Sequence, residues 1–475
     1  MRRSLHRRLG AWAADRFGWR PVREHVLERR VAKSPWYFGD GATMLALLGV
    51  LVVTGLGMML TYSPHPDAAY SSIRYITERQ PMGWFVRGLH YWSAGLLMFM
   101  TVWHVLRQIL IAGYKFPREG TWLVGTAMLV VIVTMAFTGY LLRWDERAIH
   151  AVRVALHILG GVPWIGEALV VLVQGDEQPG ARLLTRLFAI HVALLPLLLG
   201  ALVAWHIYLV ILHGVTSHGE RKKLTHTAEQ QKQRYKADAH DEEKGETFYP
   251  DTMAQSGAMA GIVLAIAVVL VVVRGPAALM PEANLTETSF PAEEWWWWWF
   301  SALVALLPPA VAPTFLVLFP LVVLIGMCLL PLVDRGPERG YRKRPLALGF
   351  VVLTVVLLVG LSGLRLRSPW TGWPVGEPPA LPPDVMLAPE AETGRLLFAR
   401  HGCTSCHSVA GAGGRTVAVD LAEMEAPRSR QYLDDYIRRP PPGVAMPAYE
   451  GWATEEEIQR LVDYVLVAQM FRTHR

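Results

Sequence analysis

The chain has 475 residues, 52% of them hydrophobic, a mean hydropathy of +0.27 and a formal net charge of +6. Such composition marks a membrane protein with room for more than one domain. The basic excess reads as a topology signal, which sets nucleic-acid binding aside. Only three cysteines occur, two of them in one short unit, which excludes a disulfide framework.

The first 40 residues carry nine arginines and one lysine, with Trp12, Phe17, Trp19, Val22 and Leu27 between them. This stretch, 1–40, reads as a basic amphipathic surface helix on an anionic lipid membrane. It has no cleavable leader pattern. Seven apolar runs follow, at 41–62, 84–112, 121–142, 187–212, 253–273, 311–333 and 346–364. Each is long enough to cross a hydrocarbon core of about 30 Å. Between the third and fourth, 148–159 and 165–173 read as short interfacial helices.

Positive charge sets the orientation. Arg221, Lys222, Lys223, Lys232, Arg234 and Lys236 lie in one loop, and Arg335, Arg339, Arg342, Lys343 and Arg344 in another. With the N-terminal arginines they mark the cytoplasmic side. Seven crossings then put the C-terminal region outside the cytoplasmic membrane.

His90 and His104 sit fourteen residues apart in the second run, and His191 and His206 fifteen apart in the fourth. On a helix those gaps span roughly 21 to 23 Å and return each pair to within roughly 40 to 60° of one face. Two such helices face to face present two stacked bis-imidazole sites, as a pair of haem b groups requires. A lone histidine on an apolar helix is more often a packing residue, but matched pairs at membrane depth are functional candidates. Gly41 and Gly55 repeat the fourteen-residue interval on the first run, and Gly125 and Gly139 on the third. A glycine at each histidine level removes the side chain that would strike a macrocycle; close helix packing through small residues is the competing account. Arg87, Arg107 and Arg186 lie near the histidines and are candidates to pair haem propionates, although Arg107 could equally snorkel to the interface. His213, seven residues beyond His206, reads as an inner-surface residue.

Residues 366–389 form a Pro-, Gly- and Trp-rich linker, and 390–475 a separate soluble domain. Within it Cys403-Thr404-Ser405-Cys406-His407 offers two thioethers and a proximal histidine for a covalent haem c. Met446, in an Ala-Met-Pro context, is the best distal ligand, with Met424 and Met470 as rivals. The closing helix starts at Thr454, which forms a capping box with Glu457.

Arg87-Gly88-Leu89-His90, Trp103-His104-Val105-Leu106-Arg107, the segment Gly139 to Asp145, and Thr185-Arg186 together resemble cytochrome b of the quinol-oxidising bc-type complexes. The fourteen/fifteen histidine spacing is similar to the plastid and cyanobacterial form. Residues 251–365 resemble the three-helix partner subunit of that form, here joined to the four-helix part at 41–216 by a charged cytoplasmic loop at 217–250. The C-terminal domain resembles a class I cytochrome c. The resemblance implies an all-α membrane bundle, a four-helix di-haem core plus a three-helix block, carrying a small helical cytochrome c domain. It implies two non-covalent haems b, one covalent haem c, and quinol and quinone as substrates.

In that family Pro-Glu-Trp-Tyr marks the outer quinol site, its Glu accepting a quinol proton. Glu294-Trp295 align with the central pair, while Glu293 stands in place of the proline and Trp296 of the tyrosine. Arg143 replaces another proline at the same pocket. Glu294 is therefore the expected catalytic base, with Glu293 as the rival. The expected function is a quinol:cytochrome c oxidoreductase subunit, working with a separate Rieske iron–sulfur protein, the membrane quinone pool and a downstream cytochrome c or oxidase, in a homodimeric proton-translocating complex. A haem-bearing membrane anchor relaying electrons for another dehydrogenase or reductase is the alternative.

Overall fold

In the computed structural model the described residues are 27–33, 39–176, 178–215, 245–283, 293–307, 311–336, 338–366, 385–405, 407–411, 420–424, 426–441, 448–451 and 453–471, with a few isolated positions between them. Most of the N-terminal basic stretch, nearly all of the 217–244 loop, most of the 366–389 linker and Cys406 lie outside them. The helices, in chain order, are α1 (Asp40–Met59), α2 (Pro66–Glu78), α3 (Gly83–Leu110), α4 (Glu119–Leu141), α5 (Glu146–Gly160), α6 (Gly166–Gln174) and α7 (Ala181–His213). They continue with α8 (Met253–Arg274), α9 (Trp298–Ala305), α10 (Ala312–Val333), α11 (Pro345–Leu366), α12 (Pro389–Arg400), α13 (Arg430–Arg438) and α14 (Glu455–Ala468). Seven of these are long and apolar enough to cross a membrane: α1, α3, α4, α7, α8, α10 and α11.

Two features escape the apolar-run reading. α2 is amphipathic and nearly neutral in hydropathy, burying Ala69, Ile73 and Ile76 at i, i+4 and i+7. His65 caps it, its Nδ1 accepting from Asp67 N at 3.4 Å, and Pro66 sits at the first turn, where its missing N–H costs nothing. A short antiparallel ladder pairs β1 (Arg30–Ala32) with β2 (Gly245–Thr247), in the register Val31 opposite Glu246. Arg29 donates to Ile211 O at 2.7 Å, which ties the entry segment to the end of α7.

Contacts divide the chain into two compact units: residues 1–140, 184–278 and 319–354, and residues 141–183, 279–318 and 355–475. The first holds the four histidines. Its central core joins Leu47, Leu97, Met100, Val131, Ile132, Leu195 and Leu199. Leu97 is seven residues from both His90 and His104, and Ile132 seven from both Gly125 and Gly139. This apolar layer therefore lies halfway between the two histidine levels. Close approach of α8 completes the unit: a Cβ at Gly88 would stand 2.8 Å from Val271, and one at Gly39 2.8 Å from the Cα of Ser256. Trp92 donates to Gly275 O at 2.9 Å from the same face of α3.

At one end of this unit Asp334, half-buried, gathers three buried partners. Lys115 reaches it at 2.6 Å and Arg344 at 2.7 Å, and the Tyr114 hydroxyl donates to it. Burial alone would raise the Asp334 carboxyl, but these bonds outweigh it and hold it below the usual carboxylate value.

In the second unit, α12, α13 and α14 enclose a core of Leu397, Phe398, Leu433, Ile437, Ile458, Leu461 and Val465 among others. Gly394 permits the α12–α14 crossing, since a Cβ there would sit 1.9 Å from Arg460 O. The capping box of Thr454 and Glu457 is formed as expected.

Candidate functional site

The histidine pairs are brought together across the bundle. His90 is close enough to His191, and His206 to His104, for their charges to interact. Three of the four imidazoles point Cε1 at a glycine of a neighbouring helix. A Cβ at Gly139 would lie 2.5 Å from His191 Cε1, at Gly55 3.2 Å from His90 Cε1, and at Gly125 3.4 Å from His206 Cε1. Gly41 has nothing within 4 Å of its virtual Cβ, so it faces open space.

The residue immediately before each glycine completes the arrangement, and sequence reasoning missed it. Thr54 Oγ1 contacts His90 Nδ1 at 2.9 Å, and Thr138 Oγ1 contacts His191 Nδ1 at 3.1 Å. Both hydroxyls donate their own hydrogen to a carbonyl one turn back, at 2.7 Å to Val50 O and 2.9 Å to Thr134 O. With that hydrogen so placed, the hydroxyls accept from an imidazole Nδ1–H, the tautomer that leaves Nε2 with a free lone pair for a metal. Asp40 does the same for His104, with Oδ2 3.0 Å from Nδ1. At the fourth position stands Val124, which has no side-chain acceptor, and the His206 ring interacts with the backbone of Thr121. The signal was present in the sequence as Asp-Gly, Thr-Gly, Val-Gly and Thr-Gly at fourteen-residue intervals.

His191 lies in a π-helical turn, Ile190–Leu194, within α7. Pro196 follows it. Its ring would strike the carbonyl four residues back, at Val192, and it offers no N–H, so the helix widens there by a residue.

The arginines near the histidines have protein partners. Arg107 forms a two-pronged pair with Asp40, 2.8 Å on each prong. Arg87 donates to Thr77 Oγ1 at 3.1 Å and to Ala277 O at 2.6 Å. Arg186 is exposed on α7. His213 ends α7 half-buried.

The expected outer site lies within the second unit. Glu294 is only 3% exposed and is paired with Arg143 at 2.8 Å and Arg147 at 3.2 Å. The arginine that replaces the family's proline is thus the counter-ion of the expected base. The backbone around it is fixed tightly. Trp144 is buried at φ +51°, in the left-handed region, and its carbonyl accepts from Ala283 N at 3.2 Å. Asp145 caps α5 through Ala148 N at 2.9 Å and also accepts from Met280 N at 3.2 Å. Glu293 pairs instead with Arg365, itself 1% exposed, at 2.6 Å. His150 is half-buried near Glu293. Burial pulls its imidazole below the usual histidine value, and the Glu293 charge only partly offsets this. Trp295 and Trp296 meet edge to face, with centroids 5.5 Å apart.

In the C-terminal part, Cys403 and Met446 pack against the same core. The Cys403 sulfur lies 3.9 Å from Tyr449 Oη, which donates to His401 O at 3.1 Å. His407 N donates to Cys403 O at 2.9 Å, one turn on. Of the rival methionines, Met470 is 68% exposed and Met424 half-buried. Asp420 accepts from the backbone N–H groups of Ala410, Gly411 and Ala422 at 2.8 to 2.9 Å, which pins the segment that follows His407.

Spanning helices that stack paired histidines at two levels, with a small helical domain carrying a Cys-x-x-Cys-His unit, define a membrane-bound electron-transfer cytochrome. Residues 95–286 match the family described as Cytochrome b(N-terminal)/b6/petB, and residues 389–465 match cytochrome c oxidase, cbb3-type, subunit III. Cytochrome b6 of Synechococcus elongatus is 32% identical over 207 residues, covering 43% of this chain and 96% of the relative. Cytochrome b6 of Prochlorococcus marinus is likewise 32% identical over 207 residues, covering 43% of this chain and 94% of the relative. A solved hyperthermophilic respiratory Complex III shares the fold, with a TM-score of 0.65 at 24% identity, over 83% of this chain and 95% of that one. The chain belongs to the cytochrome b6 family, as a multi-pass bc-type cytochrome b fused to a cytochrome c domain, an electron-transfer oxidoreductase component served by haem b and haem c.

Proposed function

We propose that the chain is the cytochrome b/c subunit of a quinol:cytochrome c oxidoreductase in a bacterial cytoplasmic membrane, with its N-terminus in the cytoplasm and residues 390–475 outside. Two non-covalent haems b, at His90/His191 and His104/His206, and one covalent haem c, on Cys403 and Cys406 with His407 and Met446, supply the one-electron carriers linking outer quinol to an inner quinone and, through a separate Rieske protein, to a downstream cytochrome c or oxidase. The observation that carries this reading is the engagement of Nδ1: three of the four histidines have it against Thr54, Thr138 or Asp40, which favours the tautomer that presents Nε2 for ligation. Gly55, Gly125 and Gly139 leave room beside the rings that any side chain would take.

At the outer side Glu294 accepts a proton from quinol, and the aromatic run from Trp295 provides a flat apolar wall. Arg143 and Arg147 neutralise the carboxylate and aim its oxygens, so the site needs no bulk water to hold a charge there. Glu293, committed to Arg365, shapes the loop. Release of that proton outside and uptake at the inner side couple turnover to proton translocation, in a dimeric complex. Glu294→Gln keeps shape but cannot take up a proton. It slows steady-state quinol:cytochrome c reduction at least roughly tenfold with all haem spectra intact, whereas Glu293→Gln does much less. Full turnover in both variants would move the quinol site elsewhere and favour the dehydrogenase-anchor alternative.

A further inference from the structure

The three engaged histidines are not engaged alike. His90 and His191, at one level, each place Nδ1 on a neutral threonine hydroxyl. His104, at the other level, donates to a carboxylate, Asp40, at 3.0 Å. Asp40 is 1% exposed, at the first turn of α1, and its two oxygens also receive both prongs of Arg107 at 2.8 Å. Its backbone is fixed too: the side chain accepts from Gly41 N at 2.9 Å, and Thr43 Oγ1 donates to Gly39 O at 3.0 Å in the same turn.

A carboxylate on Nδ1–H pulls the proton toward itself, and the imidazole becomes a stronger electron donor at Nε2. A stronger axial donor favours the oxidised iron. Here the carboxylate is buried, where hydrogen bonds to charge are stronger than neutral ones. Arg107 supplies the counter-charge that makes its burial possible, since an unpaired carboxylate at that depth would be expelled or neutralised. The opposite ligand of the pair, His206, has no such partner, so the bias at this level comes from one side.

We infer that Asp40 is a positioning residue that sets the reduction potential of the inner haem, making it a stronger reductant toward the quinone on its side than a threonine at that position would. This rests on the two-haem reading above. The asymmetry serves electron delivery: a donor whose oxidised state is favoured passes its electron on more readily.

The test is a potentiometric titration of both haem b α-bands in the complex purified from membranes, together with the low-spin EPR signals. Asp40→Asn keeps an oxygen acceptor without charge, and Asp40→Thr copies the outer level. Each should shift the reduction equilibrium of the inner haem about tenfold toward the reduced state, which is about 59 mV for one electron. The outer haem should not move, and Thr54→Val should leave the inner haem untouched. Asp40→Glu should restore a near-native inner potential and inner EPR signal, including where Asp40→Asn loses that haem. Two retained haems with unchanged potentials in Asp40→Asn and Asp40→Thr would overturn the role of Asp40 alone. An inner haem equally displaced in Asp40→Glu would show that only packing is at stake and overturn it as well. A wild-type complex lacking two haems b would overturn the haem reading itself.

Discussion

Gly139→Ala separates haem clearance from ordinary helix packing. The added Cβ would lie 2.5 Å from His191 Cε1 and 3.0 Å from Nε2. Contact carbons rest at about 3.5 Å or more, so the ring must retreat by about 1 Å. The ring is also held by Thr138, one residue away on the same helix, so it cannot retreat without losing that bond. Overpacking of this size costs about 1–3 kcal/mol, equivalent to roughly 5- to 150-fold weaker retention of a ligand bound through that ring. The same substitution favours the helix by about 1 kcal/mol, so overall stability of the bundle should hold. Pyridine haemochrome analysis and redox difference spectra of the purified complex should therefore show selective loss or displacement of the outer haem b with the inner one intact. Gly55→Ala, with its nearest ring atom at 3.2 Å, should have a smaller effect, and Gly125→Ala, at 3.4 Å, the smallest on its own histidine. Full haem content and an unchanged outer α-band in Gly139→Ala, or a reversed order in the series, would mean that these glycines serve helix packing alone.

The wild-type chain should contain haem b and haem c in a ratio of about two to one, measured by pyridine haemochrome, as four histidines and one Cys-x-x-Cys-His unit require. If the basic loops lie inside, as the positive-inside rule expects, protease added to spheroplasts should remove the C-terminal domain and spare the 217–244 loop; the reverse pattern would mean an error in the span count. Arg143→Leu should destabilise the second unit by about 3–5 kcal/mol, because it leaves the buried Glu294 with half its compensation, and thermal unfolding should show it. Asp334, held below its ordinary value, contributes stability that is present above the unfolded-state value of about 4 and is lost as pH falls through the lower folded value. A pH series of thermal inactivation should show that acid loss in the wild type and its attenuation in Asp334→Asn.

The periodic features were legible in the linear chain. Seven apolar runs, the histidine and glycine intervals, the capping box at Thr454 and the Cys-x-x-Cys-His unit depend on spacing along one chain. Helical geometry converts such spacing into depth and face without knowledge of any neighbour. Even α2, passed over because its mean hydropathy is low, was legible as Ala69, Ile73 and Ile76 after a proline. Which polar groups meet is a matter of packing. Thr54 finds His90 at 36 residues' separation, Asp40 finds Arg107 at 67, Arg365 finds Glu293 at 72 and Arg143 finds Glu294 at 151. No periodicity encodes those distances. A buried charge must be matched wherever the packing places it, and the match is set by helix order and rotation in the bundle. That is why the two acidic candidates, adjacent and alike in the sequence, emerge with different partners, and why Arg143, a departure from the family in the linear reading, turns out to be the partner of Glu294.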